Sequence, residues 1–178
     1  LYTRNLENVT KQFPEVIEYV KEHVKGESFI LDSEAVGFDP KNGKYLPFQN
    51  LSQRIRRKYD IEKLAKDLPV ELNVFDIMFH DGKSMLNEEF QERRKLIEKI
   101  IKIEKRKITI SKAKIVKTES DLNEMFKESI DAGNEGLMVK KLDAPYKPGA
   151  RVGHMVKLKE TEAPLDLVIV EAEWGEGK

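Results

Sequence analysis

The run VELNVFDIMF, from Val70 to Phe79, constrains the fold more than any other stretch of the chain. It is rich in β-formers, nearly all apolar, and closed by the turn residues His80, Asp81, Gly82 and Lys83. A short apolar run bounded by turn chemistry predicts a central strand buried on both faces. Strands and helices elsewhere in the chain must therefore cover it.

Covering elements are legible on both sides of that strand. Val9, Phe13, Val16, Ile17, Val20 and Val24 recur at spacings of three and four, with Pro14 near the start and Gly26 past the end, which predicts a helix burying one stripe. A strand over 29–38 follows; the turn-rich Asp39 to Gly43 and a return through Tyr45 and Leu46 make it a β-hairpin. Ser52 is placed to cap a short basic helix ending near Lys58. A second amphipathic helix, from about Glu88 to Lys102, carries Leu96, Ile97, Ile100 and Ile101 on one side. Short strands are expected around Ile108 to Ile110 and at Ile115 to Val116, then a helix capped by Ser120 and closed by Gly133. Strands over 136–140 and 155–159 bracket a loop rich in Pro and Gly. The alternation is irregular, so the fold class is α+β with mostly antiparallel sheets flanked by helices.

Composition narrows the partners. No run approaches the roughly 18 to 20 apolar residues of a membrane span, and nothing resembles a signal peptide, so a soluble intracellular protein without a membrane partner is expected. With no cysteine, any metal must be held by oxygen or histidine, which favours a hard ion such as magnesium. Charged residues make up 36% of the chain yet sum to zero, and Gln is scarce, a bias of proteins that work hot. A neutral chain does not coat nucleic acid through bulk positive potential. DNA contact would come from local clusters, of which Arg54, Arg56, Arg57 and Lys58, then Lys102, Lys105, Arg106 and Lys107, are the densest. Such runs also serve simply as solvated faces.

Four segments put polar groups on strands that would otherwise be core. In Ile30-Leu31-Asp32-Ser33-Glu34 the two acids share a strand face, and a carboxylate on a half-buried face needs a partner, from the protein or from a ligand. A structural ion pair or a sheet rim accounts for the same pattern. Phe75, in Val74-Phe75-Asp76, fills core or offers its ring to a planar base. Gly136 lets another group approach the backbone closely, and Glu135 beside it is able to hold magnesium or simply to open a turn into an edge strand. Lys157 and Lys159 lie on one strand face roughly 6 to 7 Å apart. Such a pair repels itself unless an anion such as phosphate sits between, although exposed strands also carry lysines without one.

In order, these segments resemble the nucleotidyltransferase motifs of ATP-dependent DNA ligases, especially the archaeal and eukaryotic kind. The matching stretches are YTRNLENVT from Tyr2, FILDSEAVGFD from Phe29, PFQNLSQRIRRK from Pro47, LNVFDIMFHDG from Leu72, EGLMVKKLDAPYKPGARVG from Glu135 and HMVKLKE from His154. Several motifs in the family's order are far more specific than one. The resemblance implies the nucleotidyltransferase fold of the ATP-grasp-like ligase core. It also implies ATP as cofactor, carried as AMP on a lysine, with Mg2+ and with nicked duplex DNA as partner. It implies work in replication, repair and recombination, in the cytoplasm or on the nucleoid, with a replication clamp engaged through other parts of the protein. It assigns Arg4 to the nick 5′-phosphate, Glu34 to the AMP ribose and Phe75 to adenine. Glu135 becomes the metal-site carboxylate, Lys157 and Lys159 contact the α-phosphate as the catalytic pair, and Arg151 sits near the ATP phosphates.

One departure changes what these 178 residues are expected to do. Ligases of this type carry the attacking lysine in a KxDG motif upstream of the TRN-like segment, and no KxDG occurs here. Lys58-Tyr59-Asp60 follows the Glu34 motif instead of preceding it, and Ile61 replaces the glycine. The nucleophile is therefore expected just before Leu1. On that reading 1–165 is a partial adenylation domain without its KxDG strand, 166–178 opens an OB-fold domain, and the piece is unable to adenylate itself. RNA ligases and messenger-RNA capping guanylyltransferases share the chemistry, and a nucleotide- or nucleic-acid-binding module without catalysis shares the motifs. FDIMFHDG and PFQNLSQRIRRK look more like DNA ligase.

Overall fold

A strand over Phe29–Gly37, β1, pairs antiparallel with the long apolar run, β2 (Val70–His80), from Phe29 opposite His80 to Gly37 opposite Val70. The computed structural model describes residues 1–57, 59–149, 153–160, 168, 170 and 171, apart from the side chains of Phe48 and Gln53. On its other edge β2 pairs antiparallel with the two-residue β3 (Lys83–Ser84) and parallel with β4 (Ile108–Ile110). The predicted central strand is thus central, in a four-stranded, mostly antiparallel sheet.

One face of this sheet is the core. Val70, Val74, Ile77 and Ile108 are fully buried there, together with Ile97 of α4 (Phe90–Ile100) and Val16 of α1 (Pro14–His23). Each such aliphatic side chain contributes about 1.5 to 3 kcal/mol on leaving water. The other face is different, and here the expectation of burial on both faces is corrected. Alternate β2 residues Glu71, Asn73 and Phe75 are polar or only half-buried. Glu71 is enclosed because the Tyr45 hydroxyl donates to its Oε1 at 2.6 Å and the Arg106 amide to its Oε2 at 2.5 Å.

Local chemistry revises several boundaries. The first helix starts at Pro14, after a 3-10 turn over Thr10–Gln12, because proline suits the first helical position, where its missing N–H costs nothing. Val9 and Phe13 are buried all the same. The return of the hairpin shrinks to a single bridge between Phe38 and Tyr45, with β2 serving as the long partner of β1. Ser52 caps nothing: α2 (Phe48–Ile55) begins four residues earlier, and the Ser52 hydroxyl donates back to the Gln49 carbonyl at 2.7 Å. A further helix, α3 (Ile61–Asp67), was not anticipated. Thr118, not Ser120, caps α5 (Glu119–Asp131) through a capping box with Asp121. Ile115 and Val116 form no strand.

One arginine of each basic cluster is held within the protein. Arg54 is fully buried, donating to Glu15 Oε2 at 2.5 Å and to the carbonyls of Gln12 and Leu68 at 3.0 Å, with Phe13 beneath its guanidinium. It fastens α2 to the start of the chain and is not free for DNA. Arg106 is held between the rings of Phe38 and Tyr45.

The chain divides into two compact units, Leu1–Ile115 with Lys140–Met155, and Val116–Val139 with Val156–Lys178. The second holds α5 and most of a two-stranded sheet of β5 (Gly136–Lys140) and β6 (Met155–Lys159), both strands at the expected bounds. The expected boundary near residue 165, the OB-fold opening, Lys58 and Arg151 lie outside the described residues. Among the described residues no helix is long and apolar enough to cross a membrane.

Candidate functional site

In the first unit the chemistry gathers on the half-buried face of the β1–β2 ladder. Leu31 and Ala35 pack on the core, so Asp32 and Glu34 project from the opposite face, as alternation requires. Glu34 is exposed, and among the described residues its carboxylate has no hydrogen-bond or ion-pair partner. It stands directly opposite Asn73. The register then breaks: Ser33 pairs with Val74 and Asp32 with Asp76, leaving Phe75 as an extra, unopposed residue. This is a β-bulge, a device that re-aims a side chain. Phe75 accordingly stays half-buried and outside the core cluster. Glu34 and Phe75 are thus brought to neighbouring rungs of one ladder.

A strap of polar contacts holds this face. Asp76, buried next to the bulge, accepts from Arg93 Nε at 2.7 Å and Nη2 at 3.1 Å. Arg93 Nη1 donates to the carbonyls of Glu88 and Ala144 at 2.5 and 3.0 Å, so the guanidinium ties β2, α4 and the segment after β5 together. Lys140 Nζ reaches Asp76 Oδ2 at 3.5 Å and lies 5.3 Å from the Phe75 ring centre and 4.7 Å from that of Phe90. An ammonium between two rings is a cation–π arrangement, and it fixes the aromatic surface. The Tyr146 hydroxyl donates to Asp32 Oδ2 at 2.7 Å. Burial, then the Asp32 carboxylate, push the Tyr146 phenol up, so it remains a donor. Asp32 therefore has the partner that a half-buried acid needs, and that partner is protein.

Arg4 occupies the tip of a tight turn whose arms meet at the Tyr2–Asn8 bridge, and it makes no hydrogen bond or ion pair among the described residues.

The second unit brings together Glu135, Lys157 and Lys159. Glu135 lies immediately before β5, and Lys157 and Lys159 alternate on β6 around the half-buried Leu158. Lys157 Nζ donates to Glu135 Oε2. The hydrogen bond and then the charge of Lys157, with a smaller effect of Lys159, hold the Glu135 carboxyl below the usual range. The anion beside the lysine pair is thus Glu135 itself. Gly136 permits the approach: at φ +142, a Cβ there would collide with the Leu158 carbonyl oxygen and lie 2.9 Å from Lys159 Cα. The Ser129 hydroxyl donates to the Gly136 carbonyl at 2.6 Å, tying α5 to this point.

Among the described residues no group of three or more His, Asp or Glu side chains is set to hold a metal. Glu135 alone fits the mode in which magnesium takes one carboxylate and draws its remaining ligands from substrate phosphates and water.

The sequence profile of the ATP dependent DNA ligase domain matches residues 1–159. The chain is 51% identical over its whole length to a DNA ligase of Nanoarchaeum equitans, and 40% identical to one of Thermococcus onnurineus. It spans 31% of the length of each. Among solved structures, the ligase domain of M. tuberculosis LigD superposes with a TM-score of 0.61 at 27% identity, covering 89% of this chain and 46% of that one. A mycobacterial DNA ligase D complexed with ATP and MES gives 0.60 at 27% identity, with the same shares.

Proposed function

This chain belongs to the ATP-dependent DNA ligase domain family, and from that premise we propose that it is the nucleotide-binding part of an enzyme that seals nicks in duplex DNA. The reaction it serves runs in three steps. A lysine nitrogen attacks the α-phosphate of ATP and releases pyrophosphate, the AMP passes to the nick 5′-phosphate, and the 3′-hydroxyl then displaces AMP.

In this reading Phe75 stacks on adenine and Glu34 accepts from the ribose. Lys157 and Lys159 neutralise the α-phosphate as charge builds on it. Glu135 would hold Mg2+, which when bound would supply further neutralisation of phosphate charge. Arg4 takes the nick 5′-phosphate, and Arg151 the outer phosphates of ATP. A DNA substrate puts the work inside the cell, on the nucleoid or its equivalent, and a replication clamp recruits the enzyme through other surfaces.

The observation that carries the reading is the nearness on one ladder of a carboxylate without a partner among the described residues, Glu34, and an aromatic ring on a bulge, Phe75. Such a pair suits a nucleoside, with a flat base for the ring and hydroxyl donors for the acid. Titration of the chain with ATP and with GTP tests it. ATP is expected to bind more tightly, and equal or stronger binding of GTP rejects the assignment. Because the 178 residues contain no KxDG, α-labelled ATP is expected to leave no AMP on the chain; an adduct on any lysine, Lys58 included, contradicts this.

A further inference from the structure

The roles proposed above leave one group on the same sheet face unused. Asn73 follows the alternation that sends its neighbour Val74 into the core, so its own side chain projects from the opposite face. There it stands between Glu34 of β1 and Thr109 of β4, its Cα partners on either side. Its Oδ1 is shut off from solvent and accepts no hydrogen bond, and the carboxamide makes no other among the described residues. A buried amide without a partner is costly, and few native polar groups are left that way. A position beside an exposed carboxylate, two residues from the bulged ring, suggests that a ligand supplies what is lacking.

Chemistry narrows that ligand. Glu34 as a carboxylate only accepts hydrogen bonds. The carboxamide beside it, turned about its soft χ2, offers an oxygen or an N–H, and no existing bond resists the turn. A phosphate would meet repulsion from Glu34. Two adjacent hydroxyls suit both groups, because each hydroxyl can donate to the acid and can donate to or accept from the amide. A ribose carries such a pair.

We propose that Asn73 is a specificity-determining residue of the nucleotide site, taking one ribose hydroxyl while Glu34 takes the other. This rests on the nucleotide reading above and adds to it a second sugar contact. Asn73 is neither a catalytic group nor a part of the core.

The test titrates the chain with ATP, 2′-deoxyATP and 3′-deoxyATP, comparing the unmodified protein with Asn73→Leu and Asn73→Val. Valine is a strong strand former, so it secures a folded variant, which thermal unfolding verifies. Unmodified protein is expected to bind each deoxynucleotide about three- to tenfold more weakly than ATP, the loss of one hydrogen bond apiece. In the variants one of those two preferences disappears, that deoxynucleotide and ATP binding within about twofold of each other, while the other preference persists. If both preferences survive unchanged, or if the variants weaken all three ligands by one common factor, Asn73 does not read the sugar. Should the unmodified protein bind none of the three, the nucleotide reading itself fails and this inference falls with it.

Discussion

Arg93 grips Asp76 with two hydrogen bonds, at 2.7 and 3.1 Å, and both side chains are buried. The pair lies between the helical layer and the bulge that carries Phe75. Lys140 leans on the same carboxylate while facing the Phe75 ring. One buried ion pair therefore supports both the packing of α4 and the aromatic surface of the site.

Removing Arg93 leaves the buried Asp76 carboxylate with only the longer contact to Lys140, at 3.5 Å, and the Ile77 amide. Arg93→Met is expected to destabilise the chain by about 3 to 5 kcal/mol. Denaturant unfolding measures the loss, and a change below about 1 kcal/mol contradicts the role given to this pair.

Phe75 is half-buried and outside the core, so its truncation is expected to weaken binding more than folding. Base stacking on an aromatic side chain is worth about 1 to 3 kcal/mol, so Phe75→Ala should weaken ATP binding roughly 5- to 150-fold. Phe75→Trp should largely retain it. Calorimetric titration against ATP decides, and an alanine variant that binds like the parent removes Phe75 from the site.

Gly136 and Gly133 both adopt positive φ, but only Gly136 faces a neighbouring strand. Gly133→Ala meets nothing within 4 Å and is expected to cost on the order of 1 kcal/mol, from backbone conformation alone. Gly136→Ala adds a clash with the Leu158 carbonyl and should open the β5–β6 pair. Hydrogen exchange of the β5 and β6 amides reports it: faster exchange in Gly136→Ala alone is the expected pattern, and equal effects of the two substitutions refute it.

The Glu135 carboxyl is held low chiefly by Lys157. A depressed folded-state pKa means that the ion pair supports the fold above the ordinary carboxylate pKa, about 4.3, and that this support is lost as pH falls through the lower folded value. Lys157→Met should raise the Glu135 midpoint toward the ordinary value. Carboxyl NMR titration follows it directly, and an unmoved midpoint shows that Lys157 is not the cause.

Periodicity and turn chemistry revealed the framework of this molecule. The run from Val70 is readable as a strand because its β-formers end in turn residues, although the partly polar face of Glu71, Asn73 and Phe75 is not, and the strands over 136–140 and 155–159 are flanked by Gly and Pro on either side of their loop. Caps were harder. Ser52 and Ser120 are plausible cap residues, but the helices began where Pro47 and Thr118 allowed. Burial of Arg54 was hidden because charge reads as surface, and its partners lie at Gln12, Glu15 and Leu68. The bulge at Phe75 is a property of register between two strands, and no single strand's sequence carries it. The roles of Lys140, Tyr146 and Asn73 are hidden in the sequence for the same reason, since each draws its meaning from a residue more than thirty positions away.

Binding of an adenine nucleotide on this sheet face is visible in residue-resolved amide shifts during an ATP titration. Shifts are expected to concentrate at 32–36 and 73–76, and at Glu135, Lys157 and Lys159. Shifts confined to α3 or to the turn around Arg4, with Glu34, Asn73 and Phe75 unmoved at saturation, would contradict it.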